Sequence, residues 1–337
     1  MKSMRTPAFF LCLALCASAC ISGKAEDQMD LRDLIDQADL RFRGRDSQGA
    51  LESYRLAAMI ANQEGDEPAL VVAASGVAMV LSLDGEVIEA GTWHTQAKQY
   101  ARPEDGEAWV RFLLSGGVLL IAEGLPAEGI NELNKAWAAA LAGERLDLAM
   151  QAAQLAAGAS EGSSKIAFGQ KVLDAALLSG NPTWIAAAHE GMGWIYQALD
   201  QPEYAIGSFR AAKEMAVGQP FQKRVRLEWA LGRALRLGGH VSEATLVIYN
   251  ADASYKKLGG LLQSMGDAEW TGRLAEEQGE LAILRGDLSS ALRQLRRAQR
   301  KYRASEADTH APELMDAIEV RIAELRMMID IARSSGA

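Results

Sequence analysis

The sequence predicts an all-α chain, a right-handed α-solenoid of about seven helix pairs closed by a C-terminal capping helix. Three observations carry that expectation. A small–large–small set at offsets of four and seven recurs along the chain, most clearly as Ala205, Phe209 and Ala212, then Ala244, Ile248 and Ala251, then Ala291, Leu295 and Ala298. Such spacing stacks the three residues on one helix face, where the small ones admit a second backbone. Hydrophobic residues are 49% of the chain but aromatics only 6%, so alanine and leucine, both good helix formers, supply most of the apolar content. No stretch sustains the alternation of β-branched residues that a half-buried strand needs.

The elements follow in order from Met29. Leu34–Arg43 pairs with the helix carrying Ala50, Tyr54 and Ala57 across a turn at Gly44–Ser47. Pro68–Leu83 carries no charge, yet its 16 residues fall short of the ~20 that span a bilayer. It reads as a buried helix, followed by the Asp84-Gly85 turn and by Ala90, His94 and Ala97. Gly117 marks the first helix of the third pair, and Gly129, Leu133 and Ala136 mark its second, behind Gly124–Pro126. In the fourth pair Phe168, Val172 and Ala175 follow a glycine- and serine-rich loop at Gly158–Ser164. Trp184–Ala212 is the clearest unit. There Tyr196 and Phe209 are expected to fill the space that Gly193, Ala205 and Ala212 leave, and Asp200-Gln201-Pro202 supplies a cap former and then a helix-starting proline. The sixth pair carries Leu231-Gly232 before its anchor set, and the seventh Gly279 and the Gly286-Asp287 turn. Between them lies the largest insertion, Asp252–Asp267, with Gly259-Gly260 as its bend. Ala311–Ala332 reads as a last helix whose charges suit a solvent-facing cap.

Met192-Gly193…Tyr196 and Ala205…Phe209 resemble the leucine-glycine-x-x-tyrosine and alanine-x-x-x-phenylalanine elements of the tetratricopeptide repeat (TPR). The anchor residues 50, 90, 129, 168, 205, 244 and 291 recur at spacings of 37 to 47. That exceeds the TPR period of about 34 and approaches the HEAT-like period of about 40–47. The small–large–small set specifies a packing geometry, which a period does not, so the TPR resemblance is preferred. It implies residues 29–158 and 159–332 as N- and C-terminal sets of repeats, and a role in holding other proteins in a curved groove.

Lys2 and Arg5, the apolar run Pro7–Cys16 and the small residues Ala17-Ser18-Ala19 have the form of a secretory signal over residues 1–19. Because Cys20 follows, the segment resembles a bacterial lipoprotein signal, in which that thiol is lipidated. Ordinary cleavage after Ala19 is the alternative, leaving a soluble periplasmic protein. Lipidation is favoured, since an exposed free thiol suits an oxidising compartment poorly. Residues 20–28 then form the lipidated cysteine and a polar tether, and Ile21 implies the outer membrane by resemblance to enteric lipoproteins. All three cysteines (Cys12, Cys16 and Cys20) lie in or next to the signal, so disulfides and thiolate metal sites are excluded from the body. Loss of Lys2 and Arg5 takes the formal charge from −9 to −11, which disfavours nucleic acid as a partner.

No catalytic, metal or cofactor signature is complete. His189-Glu190 lacks the second histidine of a zinc-protease helix, because Gly193 stands there. Gly191-Met192-Gly193 has Tyr196 where a dinucleotide fingerprint needs its third glycine. Gly162-Ser163-Ser164-Lys165 lacks the order of a phosphate loop, and no serine sits in a nucleophile elbow. A non-enzymatic role is expected.

The TPR resemblance places the first helix of each pair on the concave face. It nominates Glu190, Trp194 and Gln197 from the fifth pair, Arg226, Trp229, Arg233 and Arg236 from the sixth, and Arg273, Glu276, Glu277 and Glu280 from the seventh. Tryptophan and arginine are the types most enriched among interface hot spots. Two readings stay open: a protein-binding groove, or tryptophans in the inter-repeat core with arginines paired to glutamates. The same faces of pairs two and three hold Ser75, Met79 and Ser82, then Leu114, Val118 and Ile121, either buried or forming an apolar groove. Arg293, Arg296, Arg297, Arg300, Lys301 and Arg303 form a cationic stripe that could touch anionic lipid headgroups or an acidic partner; the favoured reading is a solvated face neutralised by Glu276, Glu277 and Glu280. The function expected is an envelope lipoprotein scaffold that holds protein partners during assembly of an envelope complex. The alternative is a periplasmic accessory working with a solute-binding protein.

Overall fold

The computed structural model describes residues 30–258 and 265–335, and among these no strand occurs. Cys20, its tether and the Gly259-Gly260 bend lie outside the described residues. Helices α1 (Leu31–Arg43) and α2 (Ser47–Glu64) make the first pair, α3 (Glu67–Leu83) and α4 (Val87–Tyr100) the second, and α5 (Glu107–Ala122) and α6 (Pro126–Ala142) the third. Then come α7 (Leu146–Ala159) with α8 (Gly162–Ser179), α9 (Pro182–Ala198) with α10 (Pro202–Met215), α11 (Phe221–Leu237) with α12 (Val241–Leu258), and α13 (Met265–Leu284) with α14 (Leu288–Ala304). A short α15 (Ala307–His310) leads into α16 (Pro312–Ser335). The chain is a TPR-like solenoid of seven helix pairs and a cap.

Local chemistry starts and stops these helices. Asp46, Asp66, Asn181 and Asp287 cap α2, α3, α9 and α14 by accepting from backbone N–H groups of the first turn. Most pairs turn through three residues whose middle member takes positive φ: Arg45 at 64°, Gly85 at 85°, Gly124 at 84°, Asp200 at 55°, Gly239 at 81° and Gly286 at 76°. Asp200 therefore serves as the left-handed turn residue and not as the cap. Gln201 occupies the cap position without a side-chain bond, and Pro202 opens α10.

Within the third, fifth, sixth and seventh pairs, a glycine on the first helix meets the large residue of the anchor set on the second. A Cβ placed on Gly193 would stand 2.5 Å from Phe209, one on Gly232 2.5 Å from Ile248, one on Gly117 2.6 Å from Leu133, and one on Gly279 2.7 Å from Leu295. Ala205, Phe209, Ala212, Ala244, Ile248, Ala251, Ala291, Leu295 and Ala298 are all fully buried. Tyr196 departs from expectation: it is half-buried and stacks on Tyr204 with centroids 5.2 Å apart.

The first helices of successive pairs touch, α1 on α3, α3 on α5, α5 on α7 and α11 on α13, whereas second helices make no comparable contact with one another. The layer therefore curves towards its first helices, which form the inner face. Helix α3 is buried on every side from Leu70 to Ser82, which explains its uncharged run. Ser75, Met79, Ser82, Leu114 and Val118 are buried as well, so that stretch is core and not an apolar groove.

Two further expectations are corrected. The Gly158–Ser164 loop reduces to Ser160-Glu161. Phe168 is only half-buried, while Gly169 makes the close approach, to Ile195 and Met192 of α9. The Asp252–Asp267 insertion is largely helical, because it lengthens α12 and α13. Asp252 is buried there, bound by Arg297 at 3.0 Å, Lys256 at 2.8 Å and Gln278 at 3.1 Å. The capping helix carries exposed Val320 and Met327 among its charges.

The two glycines of α9 provide a test. Gly193→Ala is expected to cost about 1–3 kcal/mol, because its methyl meets Phe209 in a filled space. Gly191→Ala, two residues earlier and facing open space, is expected to gain up to about 1 kcal/mol from helix propensity. Urea denaturation of the two variants checks both signs.

Candidate binding face

Helices α9, α11 and α13 stand side by side on the inner face, and their contacts define a register. Glu190, Arg226 and Trp270 form one rung: Arg226 Nε lies 2.9 Å from Glu190 Oε1, and its guanidinium carbon is 6.0 Å from the Trp270 centroid. Trp194, Trp229 and Arg273 form the next, with the two indoles 5.8 Å apart and Arg273 5.5 Å from the Trp229 ring. The third holds Gln197, Arg233 and Glu277, where Arg233 Nη1 is 3.5 Å from Glu277 Oε1. Arg233 also lies 5.7 Å from the Trp229 ring and Arg273 5.3 Å from that of Trp270, so cations and indole faces alternate. Trp270 was missed from sequence, because it lies outside the register counted from Gly279; Arg273 one turn later was the available signal.

The structure thus brings the nominated residues together but assigns them unequal exposure. Trp229 is 6% exposed and fills the space between α9 and α13, so it is inter-repeat core and cannot act as a presented anchor. Glu277, 1% exposed, accepts two bonds from Arg236, at 2.6 and 3.1 Å. Burial opposes the Arg236 charge, but Glu277 outweighs it and raises the guanidinium pKa. Glu276 accepts the Tyr302 hydroxyl, and burial, reinforced by the Glu277 charge, pushes its carboxyl pKa up. Glu280 is held by Arg321 through bonds of 2.7 and 2.8 Å. Glutamate pairing of the arginines therefore holds across this face. Arg226 and Arg233 stay accessible, with side chains 46% and 36% exposed, beside half-buried Trp194 and Trp270. Trp229 Nε1, Arg233 Nε and Gln197 Oε1 are buried without a protein partner.

A second inner surface lies in the N-terminal half. A hollow of about 370 Å³ is bounded by Phe42, Tyr54, Arg111, Gln151, Gln154 and Trp184, among others. Its floor is an ion network. Arg111 bonds Asp39 through both terminal nitrogens and Glu107 through Nε at 2.9 Å; Tyr54 donates to Asp39, and Arg145 joins Glu107 to Asp147. Burial favours the neutral form of Asp39, but the Arg111 hydrogen bonds and charge outweigh it and hold the carboxyl below its ordinary value. Asp39 and Arg111 are 72 positions apart, and no local spacing in the sequence announces their meeting.

A neighbouring hollow of about 320 Å³, largely apolar, opens between α7, α8 and α9 and shares Gln154 with the first. The indoles of Trp194 and Trp229 fill the gap between α9 and α11, whereas Ala157, Gly158, Ala188 and Gly191 leave that between α7 and α9 unfilled.

Among the described residues no three histidine, cysteine, aspartate or glutamate side chains gather as metal ligands. His94 Nδ1 lies 3.0 Å from Ser115 Oγ, but Ser115 is fully buried and donates to the Phe112 carbonyl. His94 stacks on Phe112 at 4.6 Å, and burial followed by the Lys98 charge lowers its pKa. This pair packs the core and offers no accessible nucleophile.

Two stability effects follow. Trp229→Ala is expected to cost about 3–5 kcal/mol, read as an early melting transition, while Arg226→Ala changes it by under about 1 kcal/mol. Asp39→Asn is expected to cost about 3 kcal/mol at neutral pH by weakening the partnership of buried Arg111. Because the folded Asp39 pKa is depressed, its contribution is present above the unfolded value and is lost as pH falls through the folded one. The wild-type advantage over Asp39→Asn should therefore shrink in acid below about pH 4, as measured by denaturation at several pH values.

No protein-family model and no curated protein matches this sequence. Solved structures do match in fold. A signal-transduction ATPase with numerous domains from Pyrococcus horikoshii, bearing a tetratricopeptide repeat sensor, aligns with a TM-score of 0.62 at 12% identity. The alignment covers 86% of this chain but only 44% of that one. Aspartyl phosphate phosphatase F from Bacillus subtilis aligns at a TM-score of 0.46 and 12% identity over 93% of this chain and 88% of its own. BtubC from P. vanneervenii aligns at 0.44 and 17%, over 82% and 92%. The first of these likenesses supports the architecture, and at such identity it speaks for the fold alone: the chain has the TPR-like fold.

Proposed function

We propose that this chain is a non-enzymatic scaffold of the cell envelope, holding a segment of a partner protein along its inner face during assembly of an envelope complex. The observation that carries this reading is the pair of hollows joined at Gln154 and lined mainly by first helices. Apolar walls with a few fixed polar groups suit a peptide, whose side chains enter the hollows while its amides meet Gln151 and Gln154. Arg226, Arg233, Trp194 and Trp270 extend the face into the last three pairs. The signal-like segment ending at Cys20 supports attachment to the periplasmic face of the outer membrane. Among the described residues no helix is long and apolar enough to cross a membrane.

The charged floor of the larger hollow favours a second reading, in which the chain accepts a small polar solute beside a solute-binding protein. Both signs of charge stand in its lining, with Arg43 beside the Asp39–Arg111 pair, as a zwitterionic solute requires.

Crosslinking with mass spectrometry in the native host separates the two readings, using Gly191→Leu as the probe. The added side chain enters open space, so the fold is expected to persist while the hollow fills. Loss of a crosslinked envelope partner with an unchanged melting temperature supports the scaffold. Retention of every partner sinks it, and crosslinks confined to a solute-binding protein support the second reading. Attachment is checked separately. Cys20→Ala is expected to release the chain from membranes, and the mature wild-type mass should include acyl groups; a fully soluble wild type without them means ordinary cleavage.

A further inference from the structure

The carboxylates expected to neutralise the cationic stripe of α14 are all engaged elsewhere. Glu276 accepts from Tyr302, Glu277 is held between Arg233 and Arg236, and Glu280 binds Arg321. Of the stripe itself, Arg297 pairs with buried Asp252 at 3.0 Å, and Arg303 with Glu319 of α16 at 3.0 Å. Arg293, Arg296, Arg300 and Lys301 are exposed, and no ion pair is formed by any of them among the described residues. Their offsets of three, seven and eight place them along one side of the helix. Helix α14 holds no aspartate or glutamate in its 17 residues, and the acidic group at its start is the N-cap Asp287, which the Arg293 charge reaches.

Three more features adjoin or frame this row. Helix α16 is joined to α14 by the Arg303–Glu319 pair, and the same flank carries exposed Arg326 between exposed Asp316 and Asp330. Beside Arg326 stands Met327, 63% exposed, with Val320 59% exposed two turns earlier. The chain's charge is also unevenly divided: residues 30–160 hold 20 acidic and 10 basic side chains, whereas residues 161–335 hold 22 of each. An anionic surface therefore repels the N-terminal half more strongly than the C-terminal half.

We propose that the outer face of α14 is a docking surface for an anionic phospholipid bilayer, independent of the inner-face function. A second helix lies on the convex side of the layer, which can meet a broad membrane surface but offers no groove to an acidic peptide. Unpaired cations beside exposed methionine and valine match the interface, where headgroups carry charge and the acyl boundary accepts apolar side chains.

The test is flotation of the full chain with vesicles of phosphatidylglycerol mixed with phosphatidylcholine, compared with phosphatidylcholine alone. The variant Arg293→Gln/Arg296→Gln/Arg300→Gln/Lys301→Gln is compared with wild type and with Arg55→Gln/Arg102→Gln/Arg210→Gln/Lys213→Gln, which removes equal charge elsewhere. Any contribution of the N-terminal residues is common to all three proteins. Each cation near an anionic surface strengthens binding about fivefold, so the α14 variant is expected to lose its preference for anionic vesicles by about a hundredfold or more. The control variant is expected to keep that preference, and high salt to abolish it. Circular dichroism verifies that each variant is folded. Equal partitioning of wild type to both vesicles, or an unchanged preference in a folded α14 variant, overturns the proposal. Capture of the chain by polyglutamate and not by vesicles, through these four side chains, also overturns it and assigns the surface to an acidic protein.

Discussion

The close approach of neighbouring helices at a glycine is the constraint on which the architecture rests. Gly193 against Phe209, Gly232 against Ile248 and Gly279 against Leu295 leave no room for even one more methyl group. Such contacts set the distance and rotation of the two helices, and the short turns with a left-handed residue follow from that geometry. In some places the contact moves between pairs: Gly76 of α3 meets Tyr54 of the preceding pair, and the fourth pair shows a further case. There Gly169 of α8 packs against Met192 and Ile195 of the next pair, so the tight seam lies between pairs. The inner helices α7 and α9 flank the largely apolar hollow at this same place.

Charge is used inside the solenoid as well as on it. Asp39 with Arg111, Glu277 with Arg236, and Asp252 with Arg297 join residues 72, 41 and 45 positions apart, and each pair includes a buried member. Buried pairs of this kind add little net stability over apolar packing, yet leaving either partner alone is costly. They therefore act mainly on register, since a slip between neighbouring repeats would strand a charge. The alternation of indole and guanidinium across α9, α11 and α13 works alongside them, with Trp229 as the spacer at its centre.

These two devices divide the surface. On the inner side the ion pairs immobilise most of the charge, leaving hollows with mixed walls and a few accessible arginines. On the outer side of α14, Arg293, Arg296, Arg300 and Lys301 form no ion pair among the described residues, although the chain as a whole is acidic. A single polypeptide thus presents a preorganised inner face and an electrostatically open outer end.

The fold was legible in the sequence because its determinants are local. Ala205, Phe209 and Ala212 lie on one helix, and their spacing states by itself how a second helix can pack. The buried character of α3 could be read likewise from an uncharged run between Glu67 and Asp84. The roles of the nominated site residues were not legible, because they depend on helices that the sequence does not place side by side. Trp229 is core only because Trp194 and Arg273 close over it, and Glu277 leaves the α14 stripe unneutralised only because Arg236 reaches it from another repeat. Asp39 finds Arg111 through the curvature of the whole N-terminal half. Sequence alone determined which residues form helices and which small residues admit a neighbour, since both follow from spacing along one chain segment. Tertiary structure decided which charges are satisfied and where the hollows lie, since both depend on distances between segments that only packing sets.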